Sequence, residues 1–177
     1  SFCSLFDTCS KYTLILTICK LFLVKNLKML KKYVQFVNFL VYFSYMKNII
    51  YTGIFLTEES KERLLSKVKD FIPSNWRIYA DHLTLGFGEM AFIGEVNTFF
   101  KENEGNKIKL RISEIGISDK AIAVSVSGNF KSANTHPHIT IAISPEGRPV
   151  HSNYIENWKT IHHFEVEGIV DSFPRFK

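Results

Sequence analysis

Histidine and threonine recur in this chain in one short pattern, written twice. Residues 82–85 read His-Leu-Thr-Leu and residues 138–141 read His-Ile-Thr-Ile, 56 positions later. In an extended strand, residues i and i+2 point to one side and i+1 and i+3 to the other. His82 and Thr84 therefore share a face, and Leu83 and Leu85 share the opposite one. His138 and Thr140 repeat the arrangement against Ile139 and Ile141. An imidazole whose ordinary pKa is about 6.5 serves as acid or base near neutral pH. Two imidazoles facing one cleft divide the work: one takes a proton from a nucleophile while the other gives one to a leaving group. Two threonine hydroxyls donate to the non-bridging oxygens of a phosphate, where charge is held during displacement. Such a constellation needs neither a metal nor a covalent intermediate. Its natural substrate is a phosphodiester, above all a strained cyclic one.

A single His-x-Thr carries little information. Two with apolar flanks arise by chance in on the order of one chain in a hundred at ordinary residue frequencies. The competing reading makes each histidine a surface residue of a half-exposed strand.

The elements that must position these groups can be read around them. Residues 48–57 alternate and are rich in Ile, Tyr and Phe, which predicts a strand. Thr57 is placed to cap a following helix, with Glu58 and Glu59 in its first turn, where the helix dipole favours acids. Leu64, Leu65, Val68, Phe71 and Ile72 mark its apolar face, and Pro73 and Ser74 stop it. Residues 82–87 form a short strand ended by Gly88, and Val96, Phe99 and Phe100 suggest a short helix before Asn103. Residues 107–118 and 121–128 alternate as a hairpin turning at Asp119 and Lys120. A strand at 138–144, a turn at 145–149, a short helix at 150–158 and a last strand at 159–170 complete the order. The pattern is α+β, with several antiparallel strands and two or three helices.

Charge divides the chain unevenly. The 177 residues carry a formal net charge of +5. Lys11, Lys20, Lys25, Lys28, Lys31 and Lys32 face Asp7 alone in residues 1–45, and from Met46 onward basic and acidic residues balance. The balance argues against extended tracking along a polyanion, which relies on many phosphate contacts. Cys3, Cys9 and Cys19 all lie in the leading segment, so neither a disulfide framework nor a Cys-based zinc site is expected, and the remainder suits a reducing compartment. Residues 1–45 have three readings: an extension preceding a natural start at Met46 and foreign to the native protein, a membrane-associating basic and aromatic helix, or an extra helix packed on the domain. The longest charge-free run there, residues 33–46, is too short to span a bilayer. The functional unit is taken as 46–177.

At its paired motifs the sequence resembles the 2H phosphoesterase superfamily, which includes LigT-like RNA ligase and cyclic phosphodiesterase proteins and is defined by two H-x-[ST]-x motifs with apolar x positions. The resemblance covers roughly residues 46–170 and extends to the strand–helix–strand run before the first motif. It implies a bilobal, pseudo-symmetric α+β fold with antiparallel sheets lining a central cleft and a few flanking helices. It also implies metal-independent, cofactor-free chemistry at phosphodiesters, commonly cyclic nucleotides or 2′,3′-cyclic RNA ends. His82 and His138 become the acid–base pair, in either order, and Thr84 and Thr140 the phosphate holders. The partner implied is a nucleotide or short RNA end met by a monomer with no stable protein partner, in the cytoplasm or the nucleus. The rival functions are a non-catalytic RNA-end or nucleotide-binding module, and a membrane-tethered interaction protein working through residues 1–45.

Other residues extend the expected site. His136 is a candidate rim contact with substrate; as a metal pair with His138 it needs a third ligand from His151, His162 or His163, and no spacing selects one. Tyr79 and Phe87 flank the first motif as candidate platforms for a base. Lys131 and Arg148 are read as solvated loop charges, Trp158 as core, and Asp81 as facing away from His82.

Overall fold

In the computed structural model of this chain, residues 31–38 and 49–174 are described. The chain divides into two units, Ser1–Asn48 and Ile49–Lys177. Within the first, residues 31–38 are helical and expose Tyr33, Val34 and Phe36. The other expectations for residues 1–45 fall outside the described residues. No helix among the described residues is long and apolar enough to cross a membrane.

The second unit runs β1 (Tyr51–Leu56), α1 (Glu58–Val68), β2 (Arg77–Ile78), β3 (His82–Phe87), α2 (Gly94–Asn103), β4 (Lys107–Ile117), β5 (Ala121–Ser127), β6 (His138–Ile143) and β7 (Trp158–Phe173). Thr57 caps α1 as its sequence position predicts: its backbone is extended and its hydroxyl accepts from the Ser60 N–H at 3.3 Å. Leu64 and Val68 are fully buried. The α-helix gives way to a 3-10 turn at Lys69–Phe71 ahead of Pro73, and the tighter winding rotates Phe71 out of the expected apolar stripe into solvent.

The strands form one seven-stranded sheet in the order β2-β6-β3-β1-β7-β4-β5. Every pairing is antiparallel. β5 pairs with β6 as well, so six strands join into a ring, and β2 lies along the far end of β6. The class is therefore mixed α+β with a closed antiparallel sheet and few helices. Leu83, Leu85, Ile139 and Ile141 have no exposed surface and belong to one core cluster with Ile54, Leu110 and Val124. Burying each such side chain contributes about 1.5–3 kcal/mol. The aliphatic half of each repeated phrase is thus a core anchor.

One element is new and two local readings change. β2 is only two residues long, below what a pattern can announce. The helix expected over 150–158 is a 3-10 turn confined to Pro149–Tyr154, started by Pro149. The last strand begins at Trp158 and continues to Phe173, past the expected end at 170.

Candidate active site

The two motif strands are neighbours. Leu83 of β3 stands across from Ile139 of β6. On that antiparallel register Thr84 lies across from His138, and His82 lies across from Thr140. β1 flanks β3 on its outer side, with Phe55 opposite His82 and Gly53 opposite Thr84. β5 flanks β6, with Ser125 opposite His138 and Ala123 opposite Thr140. Gly53 is there because a Cβ at that place would come within 2.8 Å of the Leu83 carbonyl oxygen.

A cavity of about 910 Å³ opens on this face, and His82, Thr84, His138 and Thr140 all line it. The residues expected to converge do so. The two imidazoles differ in their surroundings. His82 is half-buried and stacks on Tyr51, with ring centroids 4.8 Å apart and planes 21° apart. Phe55 lies against it at 5.3 Å, tilted. His138 is 7% exposed. Its Nδ1 is 2.8 Å from the His136 carbonyl oxygen. A carbonyl only accepts, so Nδ1 carries the proton and Nε2 of the neutral ring keeps its lone pair. Burial pushes the His138 pKa below the usual histidine range; the neighbouring His136 imidazole pushes the same way, and the carbonyl hydrogen bond pulls it partly back.

The two hydroxyls differ as well. Thr84 makes no side-chain hydrogen bond among the described residues, while its carbonyl accepts from Ser132 Oγ at 2.9 Å. Thr140 Oγ1 is 2.7 Å from Ser152 Oγ, itself hydrogen-bonded to the Pro149 carbonyl.

Of the further candidates, Tyr79 and Phe87 line the cavity. Tyr79 is half-buried under the Arg77 guanidinium, and Phe87 is 65% exposed at the rim. His136 is not among the residues that line the cavity. Its ring stacks on Trp158 at 4.1 Å, and its Nε2 meets Ser125 Oγ at 3.0 Å, so it stands behind His138 and orients it through the backbone. Trp158 is half-buried against a second, smaller core cluster. No group of three or more His, Cys, Asp or Glu side chains gathers among the described residues. Lys131 pairs with Glu95 at 2.8 Å, and Arg148 is exposed. Asp81 is a correction. Ala80 takes a left-handed φ of 50°, which breaks the alternation, and Asp81 lines the cavity in an ion pair with Lys61.

Sequence reasoning missed Tyr51, Phe55, Phe173, Lys61 and Ser152, all of which line the cavity. Tyr51 and Phe55 were legible in principle, as alternating positions of a predicted strand. Tyr51 is also stacked with Phe87 at 6.4 Å and with Phe173 at 5.2 Å, so one side of the cavity is an aromatic wall. The lining also carries the hydroxyls and amides of Thr140, Ser152, Asn153 and Asn134. Among the described residues Lys61 is the one lysine or arginine lining it, and Asp81 and Glu58 offset its charge.

No protein-family model and no curated protein matches the chain. Among solved structures it is similar to one titled "Crystal Structure of Fungal RNA Kinase", at 18% identity and a TM-score of 0.45, over 72% of this chain and 42% of that one. The chain thus spans less than half the length of that protein.

Proposed function

We propose that residues 46–177 are a phosphodiesterase of the 2H type, acting on cyclic nucleotides or on 2′,3′-cyclic phosphate ends of short RNA. The observation that carries this is the meeting of His82, Thr84, His138 and Thr140 on one cavity of about 910 Å³. Nucleotide-sized ligands fit cavities of that order. The bilobal, pseudo-symmetric arrangement belongs to the same reading. What supports it is that each motif strand has its own flanking strand, β1 beside β3 and β5 beside β6.

In this reading the asymmetry of the cavity supports a division of roles. His138, buried and neutral with Nε2 unprotonated, is the base; it takes a proton from water as the water oxygen bonds to phosphorus. His82 is the acid. It stacks on Tyr51, and it stands beside the aromatic wall where a nucleobase would lie. The ribose oxygen that leaves phosphorus is attached to that base's nucleoside, so His82 is on the side where the proton is needed. The phosphorus–oxygen bond to ribose breaks, the ribose oxygen takes the His82 proton, and the product is a nucleoside monophosphate. Thr84 and Thr140 hold the non-bridging oxygens. The chemistry asks for two proton carriers and two donors, which these side chains supply without a metal.

The cavity has no surplus of positive charge, which favours a ligand with one or two phosphates over a long polyanion. The test is hydrolysis of nucleoside 2′,3′-cyclic phosphates and cyclic-ended oligonucleotides by purified 46–177 in EDTA. His82→Ala and His138→Ala should each lose nearly all turnover. Full activity in either, or nucleotide binding with no turnover on any cyclic phosphate, sinks the catalytic reading.

A further inference from the structure

Thr84 and Thr140 hold equivalent places in the two motifs, yet only Thr140 already has a hydroxyl partner among the described residues. The direction of that bond follows from what lies beyond it. Ser152 Oγ is bonded to the Pro149 carbonyl, which can only accept, so the Ser152 proton points there. The proton between the two hydroxyls is then Thr140's, and in the observed arrangement it points at Ser152.

A phosphate oxygen offers only lone pairs. To hold one, Thr140 must turn its hydrogen from Ser152 toward the cavity. Two hydroxyl oxygens 2.7 Å apart are not left with no proton between them, so Ser152 must then swing its own proton from Pro149 to Thr140. Both movements are rotations of a hydroxyl hydrogen and displace no heavy atom. Pro149 is exposed, so water can take over at its carbonyl. Ser152 is 2% exposed, so its oxygen is fixed in place. In the reversed direction the chain runs Ser152 to Thr140 to phosphate, and each donor polarises the next.

We infer that Thr140 and Ser152 form a two-way hydroxyl relay in which Ser152 is the positioning residue that makes Thr140 a phosphate donor. This rests on the reading that the cavity takes a phosphate ester. A serine that only pinned the turn at Pro149–Tyr154 would act independently of Thr140, and that difference is measurable.

The experiment is a double-mutant cycle read by calorimetric titration with a nucleoside 2′-monophosphate, with turnover of the corresponding 2′,3′-cyclic phosphate followed in parallel. Thr140→Val should weaken binding about tenfold or more, the worth of one charge-assisted hydrogen bond, and Ser152→Ala about three- to tenfold. The double variant should bind no more weakly than Thr140→Val alone. If Ser152→Ala does not fold, Ser152→Cys keeps the shape while weakening the donor and takes its place in the cycle. Losses that multiply in the double variant, or unchanged affinity in the Ser152 variant, overturn the relay. Intact coupling with no turnover leaves the relay standing and removes the catalytic reading. A wild-type chain that does not bind the nucleotide removes both.

Discussion

Leu83 and Ile139 face each other across the junction of β3 and β6, each without exposed surface. This one pair sets the relative position of both motifs, because His82, Thr84, His138 and Thr140 are each one residue to either side of it. The core contact and the spacing of the proposed catalytic groups are the same object seen from two faces of the sheet.

Truncating either member should therefore harm stability and function together. Leu83→Ala or Ile139→Ala should destabilise the fold by about 2–5 kcal/mol, through lost burial and an unfilled cavity. Denaturant titration measures the first effect. Turnover at a temperature where the variant stays folded measures the second, and it should fall further than in an equally destabilising change away from the junction, such as Leu110→Ala.

The pH profile follows from His138. With its pKa below the usual histidine range, the base stays unprotonated down to lower pH, so the acid limb of kcat/KM should lie below about 6.5. The same group makes stability pH-dependent. Above the unfolded pKa neither state binds the proton; as pH falls below it the unfolded chain protonates first, so stability declines until the folded pKa is passed. Replacing His138 by Asn should flatten that slope, read as denaturation midpoints between pH 7 and 5.

The aromatic wall predicts a binding effect separable from chemistry. Phe87→Ala and Phe173→Ala each remove an exposed cavity-lining ring stacked with Tyr51. Loss of a base platform costs about 1–3 kcal/mol, so KM for a cyclic nucleotide should rise while kcat changes little. Equal KM in both variants would mean the base lies elsewhere.

Gly53→Ala tests the backing of the first motif. The added Cβ meets the Leu83 carbonyl at 2.8 Å, so β1 and β3 must separate at Thr84. The expected outcome is a lower melting temperature and reduced turnover, with the acid limb of the residual kcat/KM unmoved because the added Cβ strains β1 against β3 and not β6.

Much of this was written in the residues themselves. Alternating or short apolar runs announced β1, β3, β4, β5 and β6, because the order of side-chain types along a strand is a local property; in β1, β5 and β6 burial is nearly continuous. The cap at Thr57 was equally local. What could not be read was whatever depends on a single backbone angle or on meetings across the ring. The left-handed turn at Ala80 swings Asp81 into the cavity, and no residue type there signals it. Phe173 joins the wall only because β7 runs beside β1, a long-range pairing with no local trace. The packing of His136 at the entrance to β6 against Trp158, 22 positions on in the chain, is likewise a long-range meeting.

The pairing of β5 with β6 has one more outcome. A hoop of strands has no loose hem, so neither motif strand can slip by a notch unless its companions around the circuit slip too. Turns at the mouth lie outside that circuit, while the gauge between His82, Thr84, His138 and Thr140 stays locked.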